Sequence, residues 1–244
     1  MKPPLLVPSA RNIRDEYIGF AKQEDVHALA GYPQSVTLGI NAAAIEYARL
    51  REGRSILDVG CGDGYLLDKL GQGTGVTFTE EEASRLKEKY PGIRLIVGDM
   101  RTISTPERFD RIIINGALHL LKNKVRILEA LSNLHNLALP GALLWIGDYP
   151  SNWDVQTLKN PLKAVKYVYK HQGKGAAFRY ARHIWRRRFR AGKIIIKMPI
   201  YPCTPETMIS LAGSCGFEIV RVWSAEEITG SLQGRFSYLF RRPA

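Results

Sequence analysis

The chain has 244 residues, 45% of them hydrophobic and 24% charged, a balance that supports a packed core and excludes a disordered polymer. Its three cysteines, Cys61, Cys203 and Cys215, are odd in number and lack CxxC spacing; this argues against a disulfide framework and a metal site and fits a reducing compartment. The net charge of +12 is concentrated: residues 151–200 hold 13 basic residues and a single acid, Asp154, whereas the remaining stretches nearly cancel.

There is no run of about eighteen apolar residues, so no helical membrane span is expected. The opening MKPPLLVPSARN also lacks the apolar stretch of a signal peptide. The expectation is a cytoplasmic protein, with peripheral contact at a membrane surface as a further option.

Residues 1–50 are helical in character and precede the first strand as a cap. From Ser55 the pattern alternates. Ser55–Val59 is a short apolar run ending in glycines, the mark of a buried parallel strand. Gly75–Phe78 reads as a second strand, followed by a helix from Thr79, where Thr79 and Glu82 have capping-box spacing. Leu95–Val97 and Phe109–Asn115 are the third and fourth strands. A helix over about 125–138 and the Pro140-Gly141 turn lead to a fifth strand, Ala142–Gly147. After the basic segment, Thr204-Pro205-Glu206 starts a helix ending near Gly216, with strands at Phe217–Trp223 and Gly234–Phe240. Such alternation implies an α/β doubly wound, mostly parallel sheet covered on both faces. Four regions follow: a helical cap at 1–50, an α/β core at 51–150, a basic insertion at 151–200, and a completing helix and strands at 201–244.

Asp58-Val-Gly60-Cys-Gly62-Asp-Gly64 joins the first strand to the first helix. Ligands of open α/β sheets sit beyond the carboxyl ends of the strands, where this loop lies. A dinucleotide fingerprint would need glycine at position 65, which is Tyr65.

The loop resembles the E/DxGxGxG signature of class I S-adenosylmethionine-dependent methyltransferases. Later landmarks follow that family's order: Gly98-Asp99-Met100, Phe109-Asp110 through Asn115-Gly-Ala-Leu-His119, Leu139-Pro-Gly141, and Thr204-Pro-Glu through Gly216-Phe217. The resemblance implies a Rossmann-like seven-stranded sheet with its last strand antiparallel. It also implies cofactor contacts from Asp58, Gly60, Gly62, Thr77, Phe78, Asp99, Met100 and Asn115. One position departs from the pattern. Where the family often has an acid for the ribose hydroxyls, this chain has Thr77, as in the branch resembling cyclopropane fatty acid synthases and sterol methyltransferases.

Methyl transfer is an in-line displacement dominated by alignment, and a hydroxyl acceptor also needs a base. His119 and Asn115, at and beyond the end of the fourth strand, are the catalytic candidates. Asp148 faces the same crevice. His135 and Cys61 read as packing residues. In the basic segment, Phe178, Ala181, Trp185 and Phe189 recur at helical spacing among Arg179, Arg182, Arg186, Arg187 and Arg190. This pattern fits an anionic lipid surface, phosphate groups or RNA, or simply a solvated face. Arg182, Trp185, Arg186 and Arg187 are the substrate-binding candidates. The layout is loosely similar to methyltransferases of bacterial cell-surface polysaccharide pathways. The expected function is methylation of a small-molecule or glycan acceptor, anionic, on oxygen in preference to nitrogen or carbon, with no metal. The rivals are an RNA methyltransferase and a non-catalytic cofactor-fold protein that binds membrane or nucleic acid through residues 151–200.

Overall fold

The computed structural model describes residues 34–151, 201–230 and 234–244, together with scattered helical residues between Leu162 and Arg182. Most of the expected cap (residues 1–33) and most of the basic insertion, including Trp185, Arg186 and Arg187, lie outside the described residues. Arg182 is helical and exposed, and Phe178 is 70% exposed while Ala177 is buried. No helix among the described residues is long and apolar enough to cross a membrane.

Helix α1 (Gln34–Tyr47) leads into β1 (Ile56–Val59), α2 (Tyr65–Leu70), β2 (Thr74–Thr77), α3 (Glu80–Lys89) and β3 (Arg94–Val97). Then come β4 (Phe109–Asn115), a 3-10 turn at Leu118–Leu121, α4 (Lys124–Leu137) and β5 (Ala138–Pro150). The final part is α5 (Pro205–Ser214), β6 (Glu218–Ser224), α6 (Ala225–Thr229) and β7 (Arg235–Arg241). The sheet has seven strands in the order β3-β2-β1-β4-β5-β7-β6. Pairings among β1 to β5 are parallel, and β7 runs antiparallel to both β5 and β6. Chain order reverses between β1 and β4, which is the switch point where such sheets open a crevice.

Strand β5 begins four residues earlier than the expected Ala142 and ends three residues later than Gly147. Pro140 and Gly141 stay in the strand because the Gly141 N–H bonds the Arg242 carbonyl beyond β7, a long-range partner that local turn chemistry does not reveal. Helix α6 is absent from the sequence expectation. It is a single short turn held by a full capping box between Ser224 and Glu227. The Thr79 cap forms as expected, its hydroxyl accepting from Glu82 N–H at 3.2 Å. The Glu82 carboxylate, however, accepts from Phe78 N–H rather than from Thr79. Helix α5 starts as expected on Pro205, capped by Thr204.

Strand β1 is buried along its whole length, as the uninterrupted apolar run requires. One core layer packs α4 and α5 against β1, β4, β5 and β7 through Ile112, Leu131, Leu134, Ile146 and Phe240. On the opposite face α1 packs its alanines onto Trp145 and Trp223. Tyr47 stacks on Trp223 with centroids 4.6 Å apart.

Gly147 sits at the tightest point of this face. A Cβ built on it would fall 2.5 Å from Trp145 Nε1 and closer still to Asn115 Oδ1. Gly147→Ala should therefore destabilise the protein by about 1–3 kcal/mol or more, the usual cost of overpacking. Thermal unfolding of the variant within a degree of wild type would show that the indole–carboxamide contact yields easily.

Candidate active site

The glycine loop after β1 is pinned from the neighbouring strand. The Gly60 and Cys61 N–H groups both bond the Val76 carbonyl, at 3.0 and 3.1 Å. Gly60, Gly62 and Gly64 all have positive φ, at 74°, 55° and 75°, a region that costs a side chain dearly. A Cβ on Gly60 would also stand 2.7 Å from the Ala117 Cβ. Gly62 differs: nothing lies within 4 Å of its would-be Cβ, so its open side faces the ligand space.

Beyond the ends of β1, β2 and β4 this loop borders a cleft of about 870 Å³, solvent at its mouth included. The cleft brings together six of the residues expected to hold the cofactor: Gly60, Gly62, Thr77, Phe78, Asp99 and Met100. Asp58 and Asn115 are not on its wall. Cys61 turns inward against Leu67 and Leu86, the packing role expected of it.

Asp58 lies within β1, 3% exposed. Burial, aided by the charge of Asp63, pushes its carboxyl up from 3.8 to about 7. Asn115 is committed elsewhere. Its Oδ1 accepts from the Trp145 indole at 2.9 Å and its Nδ2 donates to Asn41 Oδ1 on α1 at 2.8 Å. The carboxamide thus ties α1 to the sheet.

The Thr77 hydroxyl donates to the Thr79 carbonyl at 3.0 Å, so its proton is already used. Glu82, one turn into α3, lines the cleft beside Phe78. In the sequence Glu82 reads only as a capping residue; its position five residues after Thr77 was the available signal.

Also on the cleft wall, Asp99 is held by Arg101. The guanidinium donates to both carboxylate oxygens, at 3.0, 3.0 and 2.6 Å, and the Arg101 backbone N–H donates to Oδ1 at 2.9 Å. Glu129 steadies Arg101 from α4 at 3.2 Å. Burial alone would raise Asp99, but the Arg101 hydrogen bonds and charge, with Arg126 adding to them, outweigh it and hold the carboxyl below its usual range. Arg101, Lys122 and Arg126 all border the cleft, and no sequence motif singles them out.

His119 is 8% exposed and lies in the 3-10 turn after β4. It packs edge-on to Tyr149 with centroids 6.1 Å apart, and its buried Nδ1 has no hydrogen-bond partner among the described residues. Burial first, and the Arg235 charge second, push its basicity well down. It is not on the cleft wall. His135 packs edge-on against Phe217 at 5.2 Å, in the structural role expected. No cluster of metal-ligating side chains occurs among the described residues.

Apolar walls with a glycine loop and an acid among them fit a nucleoside-bearing molecule. A methyltransferase-domain family model matches residues 56–141, the stretch that builds this cleft. Residues 56–141 thus form a methyltransferase domain. The chain is 29% identical over 135 residues to (S)-coclaurine N-methyltransferase of Papaver somniferum; the match covers 48% of this chain but only 38% of that protein. Among solved structures, the fold is similar to the N-methyltransferase NodS from Bradyrhizobium japonicum in complex with S-adenosylhomocysteine. The TM-score is 0.59 and the identity 16%, covering 96% of this chain and 100% of that one. It is similar also to 1,6-didemethyltoxoflavin-N1-methyltransferase from Burkholderia thailandensis, at TM-score 0.63 and 16% identity over 100% and 94% of the two chains.

Two measurements test the electrostatics of the methyltransferase domain. Between pH of about 4 and 7 the folded state keeps on Asp58 a proton that the unfolded chain has lost. This contribution to stability therefore falls as pH rises and levels off above 7. Asp58→Asn removes that titration. Its stability advantage over wild type should grow across this window to roughly 4 kcal/mol, at about 1.4 kcal/mol for each tenfold difference in proton affinity between the folded and unfolded chains. Chemical denaturation at several pH values checks this, and a pH-independent difference would rule out burial as the cause. For Asp99, Arg101→Met should move the carboxyl upward, read directly by NMR titration of its carboxyl carbon. An unchanged titration would mean that Arg101 does not set it.

Proposed function

We propose that the protein transfers a methyl group from S-adenosylmethionine to a nitrogen of a small-molecule acceptor. The observation that carries this reading is the cleft, which the pinned glycine loop and Asp99 line together with mostly apolar walls. When bound, S-adenosylmethionine supplies an electrophilic methyl group on a sulfonium. The chain's residues bind and align. Gly60 and Gly62 leave room at the loop, and Met100 and Phe78 offer apolar contact. Glu82 presents a carboxylate to the ribose hydroxyls in place of the acid missing at Thr77, and Asp99, aimed by Arg101, accepts from the adenine amino group. Alignment of this kind accounts for about 7–11 kcal/mol of such barriers.

The sequence by itself favours oxygen as the acceptor. Two observations favour nitrogen. Several of the similar proteins are named as N-methyltransferases. In addition, His119, the expected base, is buried off the cleft wall and its basicity is depressed, whereas an amine lone pair attacks without a base. An anionic acceptor rests on the charge of residues 151–200 alone, of which Arg182 is exposed.

Calorimetric titration tests the cofactor. The wild-type chain should bind S-adenosylmethionine and not NAD. Gly62→Val puts a branched side chain into the ligand space at a φ of 55°, and Asp99→Ala removes the adenine contact. Each should weaken binding at least about tenfold, equivalent to about 1.4 kcal/mol. Unchanged affinity in both variants would overturn the cofactor assignment.

A further inference from the structure

Helix α4 lays a polar stripe along the loop that carries Asp99. Arg126, Glu129 and Asn133 stand three and four residues apart, the spacing that puts side chains on one helix face. Two of the three are spent on the loop. Asn133 Nδ2 donates to the Met100 carbonyl at 3.1 Å and to the Ile103 carbonyl at 3.0 Å. Glu129 accepts from Arg101 at 3.2 Å, and Arg101 in turn donates to the Asp99 carboxylate. The helix therefore fixes both the backbone and the acid of this stretch of the cleft wall.

Arg126 is left over. It is half-buried and lines the cleft with Asp99 and Met100, and its charge acts on the Asp99 carboxylate. Its backbone N–H donates to Asn123 Oδ1 at 3.0 Å, but among the described residues its guanidinium has no hydrogen-bond or ion-pair partner. The helix gives no reason for a cation there. Arg126 is the third residue of α4, whose first turn holds no acid, whereas α3 and α6 have Glu82 and Glu227 at that position. A positive charge in the first turn opposes the helix dipole, and the capping-box pattern calls for Glu or Gln there. A residue that breaks a local rule without local gain points to a role in the site.

The same wall thus carries a fixed acceptor, Asp99, and a donor not yet engaged, Arg126. Adenine presents the complement: its exocyclic amino group donates, and the ring nitrogens N1 and N7 on either side of it accept. We propose that Arg126 is a specificity-determining residue for the base of the cofactor, its guanidinium donating to one of these two ring nitrogens while Asp99 accepts from the amino group. The inference rests on the cofactor reading above. A 6-oxo purine is rejected, because its oxygen would face the carboxylate and leave that acceptor without a donor.

Calorimetric titration with S-adenosylhomocysteine and with its 1-deaza and 7-deaza analogues, each lacking one of the two ring nitrogens, tests this. Wild type should bind at least one analogue about tenfold more weakly than the parent, the size of one charge-assisted hydrogen bond. Arg126→Met keeps an apolar stem, and removing a cation from the first turn should not cost stability. This variant should bind the parent about tenfold more weakly and show no further loss for that analogue. A merely structural role would weaken all three ligands alike and keep the penalty. Equal binding of the three by wild type overturns the inference. So does a penalty that persists in full for both analogues in Arg126→Met, or a variant that binds the parent as wild type does. Failure of wild type to bind S-adenosylhomocysteine would overturn the cofactor reading, and this inference with it.

Discussion

The Val76 carbonyl accepts two N–H groups from the loop that follows β1, and most of the site follows from that junction. It can do so only because β1 and β2 are parallel and in register up to Val59 and Val76, so that both strands end at one edge. Pinned there, the loop has no slack. Its three glycines take left-handed conformations, and Ala117 from the end of β4 closes against Gly60 with no space for a Cβ. Gly62 alone is left facing open space. The parallel pairing of β1 with β4 brings Ala117 to this edge.

Three acids near this edge are handled in three ways. Asp58, inside β1, is buried and rises toward neutrality. Asp99, after β3, is held below its usual range by an arginine two residues away. Asp148, near the end of β5, is fixed in backbone and side chain by Arg235 from β7. Of the three, only Asp99 lines the cleft. The Asn115 carboxamide, although at the end of β4, serves none of these groups; it locks Trp145 and Asn41 together and so anchors α1 to the sheet.

Much of the fold was legible because it depends on short-range physics. The apolar runs of β1 and β4, the Thr79 and Thr204 caps and the positive-φ demand of Gly60, Gly62 and Gly64 are all properties of neighbours in sequence. Gly60, Gly62, Thr77, Phe78, Asp99 and Met100 meet on one cleft wall because they lie at or just beyond the ends of parallel neighbouring strands. Where local reading failed, a distant partner was the cause. Pro140 and Gly141 look like a turn, yet the carbonyl of Arg242 recruits them into β5.

The sequence by itself determined the order of strands and helices, the glycine loop and the cofactor class that loop resembles. The element order and the loop's shape follow from side-chain periodicity and backbone freedom within a few residues, and the cofactor class from the resemblance of that loop to a known signature. Tertiary structure decided what the polar side chains do. It placed His119 in a buried turn, spent Asn115 on a residue 74 positions away, and joined Asp148 to an arginine 87 positions away. No local pattern encodes such pairs, because they form only where sheet order brings the ends of β4, β5 and β7 together.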